Sequence, residues 1–313
     1  MLKIILLLTA AAIIAVLAGC STETGPDAGA DAGPVADAGD TFPPDRQTPL
    51  FEKGLVIPRN FLPCKAEDGS ETYNCNHHGS TIAMLRDGTM AITWYHGLGE
   101  KSRDTRILWS RLYPGAKEWS PAEVLFDDPL RAEGNPAIWV DEKGVVWVFF
   151  VVIYGRDAWD DAEIMYVKSP DNGASWTAPV TLREEFGWMT RQRPLRLANG
   201  GILLPCYNER LALPTFIRSM DNFATWEEMP SDSAEYVVNH VGNIQPSIIL
   251  RNDGSVLALT RNGMPDRRVG SMSSVSNGRS WTPNVFTALP NSGTSIDQFK
   301  LRDGHVVVIF NND

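Results

Sequence analysis

Short runs of β-forming apolar residues recur along most of the chain, and each run begins just after a two-residue turn signal. Four of the five turns are Asp-Gly or Asn-Gly, the pairs that accept the positive φ angles of a tight hairpin. Their glycines are spaced 56, 56, 54 and 50 residues apart, at Gly88, Gly144, Gly200, Gly254 and Gly304. This pattern predicts a repeated unit that contains a β-hairpin.

A tryptophan recurs in the same register as the turns. Trp119, Trp176, Trp226 and Trp281 each follow the turn glycine of their unit by 26 to 32 residues. Two markers in phase predict two hairpins per unit, and hence the four-stranded antiparallel blades of a β-propeller. A β-sandwich would supply many strands without this repetition, and the sequence has no helical pattern of any length. The predicted fold class is therefore all-β, with about five blades visible.

The first twenty residues have the pattern of a bacterial lipoprotein signal peptide. Lys3 precedes an apolar run over residues 4–17, which is too short to span a bilayer comfortably. Leu17-Ala18-Gly19-Cys20 resembles a lipobox, in which the Cys thiol takes the lipid. We therefore expect residues 1–20 to be a signal peptide and Cys20 to be lipidated. Ser21 and Thr22 lack the Asp that retains many such proteins at the inner membrane, which predicts the outer membrane or the cell surface.

Residues 21–48 consist mainly of Asp, Ala, Gly and Pro, and we expect them to form a disordered tether before a propeller over residues 49–313. Hydrophobic residues make up 43% of the chain, which is enough for a substantial core. The net charge of −10 argues against nucleic acid as a partner. We expect a monomer that contacts the membrane only through its lipid.

The four cysteines are too few for a disulfide-built scaffold. Cys64 and Cys75 are 11 residues apart in a chain predicted to be exported, which predicts a structural disulfide between them. Cys206 lies among apolar residues and is expected to be a buried free thiol. No zinc-ligand spacing and no EF-hand loop is present in the sequence, and we expect neither a metal nor a cofactor.

Ser169 to Trp176 matches the Asp-box, Ser-x-Asp-x-Gly-x-x-Trp, of bacterial sialidases and their relatives. The later copies are degraded, with Phe223 in place of the Gly and Ser276 in place of the Asp. The resemblance implies a sialidase-type β-propeller, which usually has six blades. Because the fifth repeat breaks off at Asp313, the resemblance also implies that the chain is incomplete at its C-terminus.

The repeat predicts where a site would form. The start of the first strand and the end of the second strand of each blade share one face of the propeller, so their side chains converge on the axis. We predict catalytic roles there for Glu100, Asp104, His78 and Tyr207. We predict substrate binding by His96, Asn135, Arg191, Arg193, Gln245 and Arg261, because arginine, amide and histidine side chains suit a sugar acid.

The sialidase resemblance implies three arginines for a carboxylate, an Asp acid/base, and a Tyr nucleophile activated by Glu. Of these, Arg261 matches one arginine, and the segment from Glu100 to Asp104 stands where the acid/base would fall. His78 stands in place of the first arginine and Gln245 in place of the activating Glu. The nucleophilic Tyr would lie in the last blade, which the sequence does not contain. Because Gln245 cannot accept the Tyr proton as Glu can, we expect a change from the usual sialidase chemistry.

Three hypotheses remain open. The first is an exported exo-acting, sialidase-like glycosidase on acidic glycans, with Glu100 or Asp104 and His78 in acid/base roles and the arginines 191, 193 and 261 as a carboxylate clamp. The second is a lyase on uronate-containing polysaccharides, which would use His78 or His96 with Tyr207. The third is a propeller that binds glycans without cleaving them.

Overall fold

The computed structural model describes residues 62–65, 68–155, 158–229, 233–263 and 268–311. The predicted signal peptide, with Cys20, and the predicted tether lie outside these residues. The regular secondary structure of the described residues is β, apart from one α-helix, α1 (Ala234–His240), and a single 3-10 turn at Trp159–Asp161. Among the described residues, no helix is long and apolar enough to cross a membrane.

Four antiparallel sheets repeat along the chain, after a small hairpin of β1 (Cys64–Lys65) and β2 (Glu71–Thr72). The first blade consists of β3 (Asn76–Met84), β4 (Met90–Gly97), β5 (Arg106–Leu112) and β6 (Glu123–Phe126). The second consists of β7 (Ala132–Val140), β8 (Val146–Ile153), β9 (Ala162–Ser169) and β10 (Val180–Arg183).

In the third blade the first strand is divided into β11 (Trp188–Thr190) and β12 (Leu195–Arg196), which both pair with β13 (Ile202–Asn208) and are followed by β14 (Leu213–Ser219) and β15 (Glu227–Met229). The fourth blade consists of β16 (Asn243–Leu250), β17 (Val256–Asn262), β18 (Arg268–Ser274) and β19 (Val285–Pro290). The described part of the fifth is the hairpin of β20 (Asp297–Lys300) and β21 (Val306–Ile309).

Each blade is an antiparallel meander, and the predicted turns join its first strand to its second. The first strands of neighbouring blades lie beside one another. Thr81 of β3 donates to the carbonyl of Pro136 in β7 at 3.0 Å and accepts from the amide of Ile138 at 3.1 Å. Ser247 of β16 likewise accepts from the amide of Gln298 in β20 at 3.0 Å. The all-β propeller predicted from the sequence is confirmed.

The Asp-box at the end of β9 shows why these residue types recur. The hydroxyl of Ser169 accepts the amide of Gly173 at 2.7 Å, and the carboxylate of Asp171 accepts the amide of Ser175 at 2.8 Å. Trp176 then packs edge-on against Trp109 of the first blade, with the rings 5.1 Å apart. The motif therefore closes a turn and fills the space between two blades.

The degraded copies keep this arrangement with different side chains. In the third blade Phe223 adopts the glycine conformation, with φ of 61°, and packs on Phe149 with the rings 5.2 Å apart. In the fourth, the hydroxyl of Ser276 accepts the amide of Ser280 at 2.8 Å, as the Asp carboxylate does elsewhere. The substitutions therefore keep the turn.

Three cysteines lie in the described part of the chain. Cys64 of β1 and Cys75, which precedes β3, form a disulfide whose Cα atoms are 5.9 Å apart. The bond ties the first hairpin to the first blade. Cys206 of β13 is a fully buried free thiol, and burial raises its pKa.

Candidate active site

The first strand of each complete blade is interrupted at the same place, nine residues before the turn glycine. In β3, β7 and β16 the interruption is a β-bulge with a left-handed residue: Gly79 (φ 69°), Asn135 (φ 49°) and Gln245 (φ 52°). In the third blade Arg191 holds this position, in the gap between β11 and β12. Bulges re-aim side chains, and they occur often beside active sites.

The left-handed conformation suits glycine and carries a cost for other residues. At Gly79 a Cβ atom would lie 2.6 Å from the Tyr95 ring, so no side chain fits there. Asn135 and Gln245 keep the conformation although each carries a side chain. Backbone strain of this kind, on the order of 1–3 kcal/mol each, is commonly found at functional sites.

A second set of equivalent positions stands seven residues after the turn glycine, at the end of each second strand. It contains Tyr95, Val151, Tyr207 and Arg261. These residues pair with the first strands next to the bulges, as His78 does with Tyr95 and Ile244 with Arg261. The bulge set and the strand-end set therefore meet on one face of the propeller.

The phenol oxygen of Tyr207 is the meeting point of three blades. It accepts a hydrogen bond from Asn135 Nδ2 at 3.1 Å and another from Gln245 Nε2 at 3.4 Å. Tyr207 is only 3% exposed, and burial raises its pKa. The hydrogen bond from Gln245 and the charges of Arg191 and Arg261 act in the opposite direction, because they favour the phenolate.

His78 and Glu100 form a second polar cluster, which lies in the first blade beside the cluster around Tyr207. His78 Nε2 lies 3.5 Å from Glu100 Oε1, and Tyr95 donates to the same oxygen at 3.3 Å. Partial burial lowers the pKa of His78, the carboxylate of Glu100 raises it, and the charges of Arg191 and Arg261 lower it further. The net shift is downward, so His78 is neutral near pH 7 and can accept a proton.

Arg191 and Arg261 supply the positive charge of the site. Burial lowers the pKa of Arg191, and the neighbouring Tyr207, Tyr95 and Asp297 oppose that shift. Nε of Arg261 is buried, and no group of the described residues bonds to it. The charges of both guanidinium groups lower the pKa of Tyr207 and of His78. The two arginines and the two polar clusters therefore share one electrostatic environment.

Three predicted site residues are engaged by other groups of the chain. Arg193 pairs with Asp297 at 3.0 Å and donates to the carbonyl of Gln298 at 2.9 Å, so its charge is used between the third and fifth blades. Asp104 accepts the amide of Leu98 at 3.1 Å and closes the loop after β4. We therefore withdraw Arg193 from the carboxylate clamp and Asp104 from the acid/base role.

His96 is the third of these residues. It is fully buried on the other side of β4, where its Nε2 lies 3.5 Å from the sulfur of Cys64 and its ring packs against His77 at 4.6 Å. Burial lowers its pKa to about 4. Because neighbouring residues of a strand point to opposite faces, Tyr95 at the axis places His96 away from it.

The sequence analysis missed two residues. Tyr95 lies at the strand-end position shared with Tyr207 and Arg261, and that spacing was the signal that could have identified it. Glu133 lies two residues before Asn135 in β7, is fully buried, and accepts the amide of Asp128 at 2.8 Å. Burial raises its pKa to about 9, so it is protonated near neutral pH.

Residues 88–313 match the family described as a BNR repeat-like domain. The chain belongs to this family. No curated protein sequence matches this BNR repeat-like protein.

Solved structures show the same fold. An unknown-function protein from Dyadobacter fermentans superposes with a TM-score of 0.63 at 15% identity, over 79% of this chain and 77% of that one. The intramolecular trans-sialidase of Ruminococcus gnavus, in complex with oseltamivir carboxylate, superposes with a TM-score of 0.60 at 12% identity, over 72% of this chain and 74% of that one. The sialidase of Trypanosoma rangeli, in complex with the inhibitor DANA, superposes with a TM-score of 0.61 at 14% identity, over 80% of this chain and 47% of that one. The BNR repeat-like protein therefore has a sialidase-type β-propeller fold.

Proposed function

We propose that this protein is a carbohydrate-active enzyme that removes terminal acidic sugars from glycans by hydrolysis. The observation that carries the proposal is the shared environment of Arg191, Arg261, His78 and Tyr207 at the blade ends. Two guanidinium groups beside neutral proton-transfer groups suit a substrate with a carboxylate next to the bond that breaks. The sialidase-type fold and the sialidase ligand complexes among the similar structures support this choice.

Each group has a distinct task in this proposal. Arg191 and Arg261 would hold the sugar carboxylate and neutralise it. Glu100, whose Oε1 lies 3.5 Å from His78 Nε2, would transfer the proton to or from the glycosidic oxygen. Tyr207 would face the charge that develops at the anomeric centre, where a neutral phenol avoids the repulsion that a second carboxylate would bring.

A second reaction, elimination from a uronate, is favoured by the contacts of Tyr207. Two amide N–H groups donate to its oxygen, at 3.1 and 3.4 Å, and they favour a phenolate, against the rise in pKa that burial causes. Such a phenolate could abstract the proton next to a carboxylate that the arginines have neutralised. The same residues would then act as a lyase.

The test is to incubate the purified full chain with a fluorogenic sialoside and, separately, with uronate-containing polysaccharides. Release of the fluorophore supports hydrolysis of sialosides. Release of a saturated uronic acid supports hydrolysis of another acidic glycan, and an ultraviolet-absorbing unsaturated uronate supports elimination. Binding without any product over a panel of acidic glycans would contradict both and leave a glycan-binding propeller.

We also propose that the protein is exported and attached to the outer membrane or cell surface through lipidated Cys20. The support is the lipobox-like sequence from Leu17 to Cys20 after a short apolar run. Metabolic labelling with a fatty-acid analogue should mark the wild type and leave the Cys20→Ser variant unmarked. Equal labelling of both would contradict the anchor.

A further inference from the structure

A second group of reactive side chains lies in the first blade, on the other side of β4 from the candidate active site. Cys64 and His96 are buried, at 1% and 0% exposure, and Cys75 is partly buried beside them. One ligand atom from each of the three residues lies within 4.8 Å of the others. We propose that, when the disulfide is reduced, Cys64, Cys75 and His96 bind a thiophilic divalent metal ion such as Zn²⁺.

The geometry is close to that of a zinc site. Tetrahedral zinc with Zn–S of about 2.3 Å and Zn–N of about 2.0–2.1 Å separates a sulfur from a nitrogen ligand by about 3.6 Å. Cys64 Sγ and His96 Nε2 are 3.5 Å apart. Two sulfur ligands of zinc lie about 3.8 Å apart on the same distances. Once the disulfide is open, metal binding requires the Cys75 sulfur to move to this spacing from Cys64.

The set consists of three protein ligands, and the fourth position falls to water. His77 packs against His96 at 4.6 Å, but its Nδ1 accepts a hydrogen bond from Trp94 Nε1 at 3.0 Å. This bond fixes a tautomer that carries the proton on Nε2, so neither ring nitrogen of His77 is presented as a ligand. Two thiolates and one imidazole, with an open position, are a donor set that zinc uses in proteins.

Metal binding at this site requires reduction of the disulfide first. A small-molecule or protein dithiol gives two electrons and two protons to the disulfide, and is itself oxidised to a disulfide. The metal ion then displaces the protons of both thiols. Two thiolates cancel the charge of a divalent ion, so the bound centre is neutral, as its buried position requires.

The location gives the metal a structural use. The hairpin of β1 and β2 has only two residue pairs, Cys64 with Thr72 and Lys65 with Glu71, so its own hydrogen bonds stabilise it little. The disulfide attaches it to the first blade in the oxidised protein. The metal ion would keep the same attachment in the reduced protein, so one set of side chains serves both conditions.

The experiment uses the full chain, reduced with a dithiol, freed of metal and reductant without air, and titrated with Co²⁺ and then Zn²⁺. We expect one Co²⁺ per chain with intense thiolate-to-cobalt absorption, displacement by Zn²⁺, and no binding to the oxidised chain. His96→Ala should weaken binding at least tenfold, and Cys64→Ser should abolish the absorption. Cys206→Ser and His305→Ala, which change a distant buried thiol and an exposed imidazole, should bind like the wild type.

Two results would overturn the proposal: a reduced wild type without thiolate–cobalt absorption, or a His96→Ala variant that binds as tightly as the wild type. X-ray absorption of the zinc-loaded wild type gives a test that needs no variant to fold. Two sulfur neighbours and one nitrogen neighbour from imidazole are expected, and a shell without sulfur contradicts the site. The readout is metal binding, so it is independent of any glycan activity.

Discussion

Asn135 Nδ2 donates to the phenol oxygen of Tyr207 over 3.1 Å, and this contact joins the second blade to the third at the axis. Asn135 makes it from a left-handed backbone, with φ of 49°, inside the bulge of β7. The strained conformation and the hydrogen bond are therefore two parts of one arrangement. They can be separated by substitution, because alanine and glycine differ in how they accept a positive φ.

Asn135→Ala should lower the free energy of unfolding by about 1–2 kcal/mol more than Asn135→Gly does, because alanine is strained in the left-handed region. Both variants remove the donor to Tyr207 and should lose glycan turnover equally. Denaturant unfolding and kcat/KM measure the two effects. Asn172→Ala, at φ of 56° in the Asp-box turn, is the matched control, with lower stability and unchanged turnover. Equal stability of the two Asn135 variants would show that the bulge is not strained.

Arg261→Ala should weaken the binding of an acidic sugar by about 2–4 kcal/mol, as expected when a buried charge pair loses one partner. Nε of Arg261 is buried without a bond to any group of the described chain. Calorimetric titration with a sialic or uronic acid, and with the corresponding neutral sugar, measures the effect. Arg251→Ala, at the opposite end of the same hairpin, should change neither affinity. Equal weakening for the acidic and neutral sugars would rule out carboxylate recognition by Arg261.

Glu100→Gln should reduce kcat by about 10²–10⁴, because a positioned acid or base contributes that much. Asp104→Asn should leave kcat near the wild-type value, since an amide oxygen can still accept the amide of Leu98. The two single variants and the double variant, assayed across pH, measure the difference. Comparable losses in both single variants would return Asp104 to the acid/base role.

Glu133 should make stability depend on pH. Its pKa is about 9 in the folded protein and 4.5 when unperturbed, so between these values the folded state holds a proton that the unfolded state releases. The free energy of unfolding should therefore fall as pH rises from about 4.5 to about 9. Glu133→Gln should match the wild type near pH 4.5 and exceed it by about 2–4 kcal/mol at pH 8.

Unfolding by denaturant across pH measures this difference. Glu123→Gln, in the exposed pair with Arg111, serves as the control for the loss of one carboxylate at another site. A pH-independent difference between Glu133→Gln and the wild type would mean that the carboxyl is already ionised in the folded protein.

The blade repeat could be predicted because its signals are local. A turn glycine and an Asp-box act within a few residues, so their spacing appears directly in the sequence. The ends of the strands could be placed on one face for the same reason. This reasoning grouped Arg191, Arg261 and Tyr207, and in the structure both guanidinium groups act on the Tyr207 phenol.

One error arises where strand alternation is interrupted. Arg191 and Arg193 are two residues apart, which in a regular strand would direct both to one face. The gap between β11 and β12 breaks that rule, so Arg191 acts on Tyr207 while Arg193 turns to Asp297. His96 differs from the prediction for the opposite reason. β4 is regular at this point, so alternation along the strand directs Tyr95 and His96 to opposite faces.

The shared bulge position has an evolutionary consequence. Each first strand has one such position, nine residues before its turn glycine, and in three of the four complete blades its backbone is left-handed. Glycine, asparagine, arginine and glutamine occupy it here, while the turn glycines and the Asp-box positions keep their register. Related propellers could thus change substrate through single substitutions at this position, while the blade repeat stays the same.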